Sequence, residues 1–255
     1  MKKNILPIVA LGLIVGCGHS HKSSPPKENR VKVDVVNFVP SKNMEKHFSY
    51  GMTFVYGGIG RRLVEMLPNN NIKITQYASS ISHTILGEVI QDKSIVYNDT
   101  NITGFYDDTS GQFSNITYTT PRYIYKNDVV TTSYKEDTFN HYNPDVGMNI
   151  GTEQHELRHE CLFKDIVNTV HDSSGNIQKK GGEYLLLECT ETNTITYHIA
   201  LEHRNISDLD GTSTRTKMKR FKYYEKNIGY LSEYTDDEAN PYNYFVDKIK
   251  YLNEN

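Results

Sequence analysis

The chain has 255 residues, with 28 basic side chains against 31 acidic ones and a formal charge of −3. So even a balance lacks the basic field that duplex nucleic acid requires, which excludes nucleic acid as the main partner. With 37% hydrophobic and 11% aromatic residues and a mean hydropathy of −0.59, the composition suits a Tyr-, Thr- and Asn-rich globular body, and no apolar run reaches the ~18–20 residues of a spanning helix.

Lys2 and Lys3 form a positive start, and residues 5–16 form a mostly apolar stretch of signal-peptide length. It runs into Ile14-Val15-Gly16-Cys17. These residues resemble the lipobox of bacterial lipoproteins. The resemblance implies cleavage before Cys17, which then carries a thioether-linked diacylglycerol and an N-acyl chain. Two or three acyl chains give stable anchoring where one gives only marginal binding, so the lipid bilayer is the expected partner of Cys17. Gly18 follows Cys17 in place of Asp, and by resemblance to enterobacterial sorting this implies the outer membrane.

Residues 17–30 contain Pro25-Pro26 and no apolar periodicity, as expected of a lipidated Cys followed by a flexible tether. His19 and His21 read as part of that solvated linker. From Val31 to residue 255 the dominant pattern has period two, as at Val31, Val33 and Val35, at Ile72 and Ile74, and at Ile195, Tyr197 and Ile199. β-branched and aromatic residues crowd these stretches. Turn clusters at 69–71, 107–111, 172–176, 180–182 and 208–211 separate them. The expected fold is all-β and mainly antiparallel: one domain over 31–255 built on a strongly curved sheet or half-barrel, with one or two short helices. Helix candidates are residues 61–67, closed by Pro68, and residues 243–252, which read equally as a last strand.

His155-Glu156-Leu157-Arg158-His159 matches the HExxH pattern, which on a helix puts two His on one face to hold zinc, with the Glu as general base. The charged Arg158 and Glu160 speak against the buried helix that such a site needs, and residues 158–170 read as a strand. His155 and His159 are therefore not expected to bind zinc; a zinc-dependent hydrolase using His155, Glu156 and His159 stands as the alternative function. Asp208-Leu209-Asp210-Gly211-Thr212 matches a phosphatase nucleophile motif, but the polar residues before it and the short remaining chain point to a hairpin tip. Gly57-Gly58-Ile59-Gly60 lacks the further signature residues of a phosphate loop and reads as a tight turn. Asp99-Thr100-Asn101-Ile102-Thr103 resembles the acceptor sequon of bacterial periplasmic N-glycosylation, which would make Asn101 a glycan site.

With Cys17 assigned to the lipid, Cys161 and Cys189 remain as an even pair in an oxidising compartment, and a disulfide between them is expected. Their midpoint is Gly175, inside a turn cluster, so a hairpin folded there sets the two Cys opposite each other. The wide 179–182 stretch leaves the register open. Tyr223-Tyr224-Glu225-Lys226-Asn227-Ile228-Gly229-Tyr230-Leu231 and its surroundings, roughly residues 155–235, resemble a diffuse group of β-rich bacterial envelope lipoproteins. That resemblance implies a half-barrel fold like that of lipoprotein carriers more than it implies an activity. Gly229 is expected to end or turn a strand. The expected function is binding or assembly work in the envelope without catalysis or cofactor, through a concave face or exposed edge that takes a hydrophobic ligand or an envelope protein. A surface adhesin without a cavity is a third reading.

Overall fold

The computed structural model describes residues 30–52, 57–77, 89–106, 118–236 and 242–252. Cys17, His19 and His21 and the 107–111 cluster lie outside them. Among the described residues fourteen strands follow one another: β1 (Lys32–Asp34), β2 (Met44–Met52), β3 (Gly57–Leu67), β4 (Asn71–Tyr77), β5 (Val89–Tyr97), β6 (Asn101–Thr103), β7 (Thr119–Pro121), β8 (Tyr123–Tyr125), β9 (Val129–Asn143), β10 (Met148–His171), β11 (Ile177–Ile199), β12 (Ser213–Glu225), β13 (Gly229–Thr235) and β14 (Tyr242–Tyr251). The helical content of the described residues is two 3₁₀ turns, Val35–Phe38 and Leu201–His203.

Twelve strands pair into one sheet in the order β7-β6-β5-β4-β3-β2-β14-β13-β12-β11-β10-β9, and every pairing is antiparallel. The two edges, β7 and β9, are neighbours in the chain, joined through residues 122–128. Twelve strands laid flat at about 4.8 Å spacing would set those edges about 50 Å apart. A connection of this length reaches at most about 30 Å. The sheet must therefore curl upon itself, and it forms a strongly curved, nearly closed barrel.

The connection itself covers the seam. β8 pairs with β1, and Asn127 N donates to Phe163 O at 2.9 Å while Phe163 N donates to Asp128 O at 3.0 Å. Arg122 grips the Asp34 carboxylate with Nε at 2.9 Å and Nη2 at 2.7 Å, and Asp34 Oδ1 also accepts from Val36 N at 3.1 Å, capping the 3₁₀ turn. That turn drives Val35 and Phe38 into the barrel base, where Phe105, Ile102, Ile72 and Tyr224 meet them in the core.

The 61–67 stretch is the second half of β3, and this corrects the expected helix. Its Leu63, Met66 and Leu67 follow a helical spacing, but the packing has period two. Val64 stands between Met44 and Ile74 in the ladder; Val64 and Met44 belong to the barrel core, and Ile74 packs against it, partly buried. Asn69 and Asn70 take positive φ, so Pro68 opens a hairpin turn. Residues 57–60 also belong to β3, which corrects the expected tight turn. Gly60 pairs with Phe48, whose ring lies 2.3 Å from where a Cβ would stand, so the glycine leaves room for the ring. Residues 243–251 form the last strand. Gly229 takes φ +82° and opens β13 directly after the 226–228 turn.

Gly104 is the most constrained glycine. It has φ +81°, and an added Cβ would lie 2.2 Å from the Ser94 carbonyl oxygen. Any side chain there must both adopt the left-handed conformation and push two strands apart. Gly104→Ala is expected to lower stability by about 2–3 kcal/mol, which urea unfolding would read directly; a change below about 0.5 kcal/mol would contradict it.

Candidate functional site

Strand alternation decides what enters the barrel. On β12, Arg220, Lys222 and Tyr224 face inward, while on the other face Phe221 stacks on Tyr234 at 4.9 Å and Tyr223 lies tilted to the same ring at 6.4 Å. The ladders carry the inward row onward through Glu233 and Tyr230 on β13, Tyr244 on β14, Phe48 and Lys46 on β2, and Arg62 and Val64 on β3. The interior therefore alternates rings with charged heads.

Near the base this row borders a small cavity of about 20 Å³, room for about one water molecule. Phe38, Val64, Ile74, Ile95, Phe105 and the rings of Tyr224 and Tyr230 form its apolar wall, and Lys46, Arg62 and Lys93 bring cationic heads to it. Lys46 Nζ donates to the carbonyl oxygens of Ile228 at 2.5 Å and Tyr230 at 3.1 Å. Arg62 Nε donates to Gln76 Oε1 at 3.0 Å, and its guanidinium lies 5.2–5.5 Å from the rings of Phe48, Tyr244 and Tyr230. Phe105 stacks on Tyr224 at 4.6 Å. Ligand pockets run to roughly 300–1,000 Å³, so this space is a gap in the packing and too small for an organic ligand.

Tyr230 links this gap to a buried charge cluster. Its hydroxyl donates to Glu233 Oε2 at 2.8 Å. Arg220 bonds the other carboxylate oxygen, Lys222 Nζ stands 3.6 Å from Glu233, and Arg220 Nη2 lies 3.7 Å from Glu191. Burial by itself would lower the Arg220 guanidinium, but Glu233 and Glu191 hold it above its ordinary value. Beyond the cluster, Cys161 and Cys189 face each other across β10 and β11, with Cα atoms 4.0 Å apart, and are joined by a disulfide. The turn centred on Gly175 closes that hairpin, with Asp172 Oδ1 accepting from Ser174 N and Asn176 N at 2.9 Å each. Register shifts fall between Cys161 and the turn, at Phe163/Asp165, Val167/Thr169 and Val170/His171, so the extra residues around 179–182 are absorbed as bulges.

The HExxH residues take positions that correct the hydrolase alternative. His155, Glu156 and His159 lie on β10, not on a helix. Four residues along a strand span about 13 Å, so the two imidazoles cannot share one ion as a helical pair does. His155 Nε2 bonds Glu153 at 3.0 Å, and Glu156 points to the opposite face. His159 is buried instead, with Nε2 3.6 Å from Cys161 Sγ. Burial, then the charges of Lys222 and Arg220, hold its imidazole well below the ordinary value. An unfolded chain takes up a proton near pH 6.5 that the folded chain refuses, so His159 removes stability as pH falls below that point, by at most about 1.4 kcal/mol per unit. Between pH 7 and 5 the wild type is expected to lose about 1–2 kcal/mol more than His159→Gln in urea unfolding; equal losses would refute the assignment.

The 208–212 motif lies in the β11–β12 connection. There Asp210 Oδ1 accepts from Ile199 N at 2.9 Å and Asp210 pairs with Arg204 at 2.8 Å, so it shapes a loop. Asn101 is exposed at the start of β6, beside the turn that Asn98 caps. Sequence reasoning missed the interior Lys46, Arg62, Lys93, Arg220, Lys222 and Glu233. The available signal was the Arg220-Phe221-Lys222-Tyr223 alternation, in which charges occupy one face of a strand and rings the other.

No family model matches the chain, and no curated protein matches it. Among solved structures, a candidate lipoprotein from Parabacteroides distasonis ATCC 8503 is 12% identical with a TM-score of 0.39, over 84% of this chain and 98% of that one. A candidate exported protein with a YmcC-like fold from Bacteroides fragilis NCTC 9343 is 13% identical with a TM-score of 0.38, again over 84% of this chain and 98% of that one. Both are distant likenesses, at the level of a β-rich fold.

Proposed function

We propose that this chain is a lipid-anchored protein of the bacterial envelope, without catalytic activity, that does binding or assembly work there. In this reading residues 1–16 are the signal peptide, Cys17 carries the acyl chains, residues 17–30 are the tether and residues 31–255 form the binding domain. The observation that carries the anchor is Ile14-Val15-Gly16-Cys17 behind a basic start and a short apolar stretch. Gly18 supports the outer membrane as destination, and the exposed Asn101 is a proposed glycan acceptor. The strongly curved sheet supports that role, offering a concave face and the edge strands β7 and β9 to a hydrophobic ligand or an envelope protein.

Cys17→Ser is expected to shift most of the protein out of the membrane fraction or leave it uncut. Membrane partition equal to wild type would refute the anchor. Native mass spectrometry of the extracted protein tests both halves, reading acyl mass on the N-terminal peptide and any bound lipid or protein. An extracted protein that carries no bound molecule would refute the binding role.

A further inference from the structure

We propose that the reduced form of this protein binds one soft divalent metal ion, of the zinc class, through His159, Cys161 and Cys189. This site is independent of the binding role proposed above. His159 and Cys161 are two residues apart on one face of β10, and Cys189 is the direct ladder partner of Cys161 on β11. Ligand atoms of the three residues lie within 4.8 Å of one another, and all three side chains are buried. The ladder thus holds three soft donors in one place before any ion arrives.

The distances suit the ion. Tetrahedral zinc with Zn–N near 2.0 Å and Zn–S near 2.3 Å needs its nitrogen and sulfur ligands about 3.5 Å apart. His159 Nε2 and Cys161 Sγ already stand 3.6 Å apart. The two sulfurs must separate to about 3.8 Å, which side-chain rotation achieves without parting the strands. Thiolate and imidazole donors with no hard oxygen among them select zinc-class ions over calcium or magnesium.

Charge also balances. A dithiol reductant, itself oxidised to a disulfide, transfers two electrons and two protons to the Cys161–Cys189 bond and leaves two thiols. The ion then displaces the two thiol protons to solvent and forms two S–metal bonds. Two thiolates and a divalent cation sum to zero, so the loaded site adds no net charge beside Arg220 and Lys222.

The test uses the full chain carrying Cys17→Ser, so that Cys161 and Cys189 supply all the thiols. It is reduced with a phosphine that does not itself compete for zinc, and titrated with Zn²⁺ and with Co²⁺ as a spectroscopic probe. One ion per chain is expected after reduction, with thiolate-to-cobalt charge-transfer absorption, and none at the same concentration before reduction. His159→Ala should weaken binding about tenfold or more while retaining two titratable thiols, and His155→Ala should change nothing. Equal binding by oxidised and reduced chains, or by reduced wild type and His159→Ala, would overturn the site. A reduced chain that loses its strand signature and does not regain it with zinc would overturn it equally.

Discussion

Replacing Glu233 with Leu is expected to destabilise the barrel by about 3–5 kcal/mol, the cost of breaking a buried ion pair from one side. Glu233 is 2% exposed. It takes the bond from Arg220, the 2.8 Å hydroxyl bond from Tyr230 and the approach of Lys222 at 3.6 Å. Lys222 is fully buried, so the loss of its neighbouring carboxylate leaves an ammonium in a low-dielectric interior with no way to reach water. Arg220 keeps Glu191 at 3.7 Å and is less affected. The double variant Glu233→Leu/Lys222→Met should therefore recover most of the loss, because a buried pair exchanged for apolar groups of similar size is often neutral. Urea unfolding of wild type, single and double variants gives the coupling directly. A single variant within about 1 kcal/mol of wild type would show that the cluster is more hydrated than its burial indicates.

The same cluster shows how far the fold and the site could be read before any coordinates. The all-β, antiparallel, strongly curved character follows from alternation between turn clusters, and the hairpin about Gly175 from the spacing of two Cys across a Gly-containing turn. Local pattern misled at residues 61–67, where Leu63, Met66 and Leu67 satisfy a helical period. Only the neighbouring strands, with Met44 and Ile74 closing on Val64, select the extended form. The degree of closure was not legible, because it depends on β7 and β9 being the opposite edges of one sheet, a property of strand order. The interior charges were hidden for a related reason. In β12 both faces are covered, so Lys222 and Tyr223 are both buried and the usual contrast of apolar inside with polar outside vanishes. The HExxH match failed at a single point. The motif needs a period of 3.6 to bring its His together, and β10 has a period of two.

Removal of the disulfide is expected to cost about 3.5 kcal/mol, yet to leave the barrel folded. Cys161 and Cys189 are 28 residues apart, and closing a loop of that size in the unfolded chain accounts for about 3.5 kcal/mol in the chain-entropy model. A domain holds a net stability of about 5–15 kcal/mol, so the loss is a large share but not the whole. What remains is the β10–β11 ladder, which runs from Gly151 opposite Ile199 to His171 opposite Ile177, together with the flanking β9 and β12. Phe163 and Leu187 continue to pack beside the vacated position, and both are fully buried. The double variant Cys161→Ala/Cys189→Ala should keep the far-ultraviolet strand signature at 25 °C while its urea midpoint falls. The slope of the urea transition should rise as the unfolded chain, freed of its cross-link, exposes more surface. Reduction of the wild type by a phosphine should reproduce the midpoint shift in the absence of metal. An unchanged midpoint would mean that the hairpin persists in the unfolded chain and the bond constrains nothing further. Loss of the strand signature would mean that the ladder alone cannot hold β10 against β11.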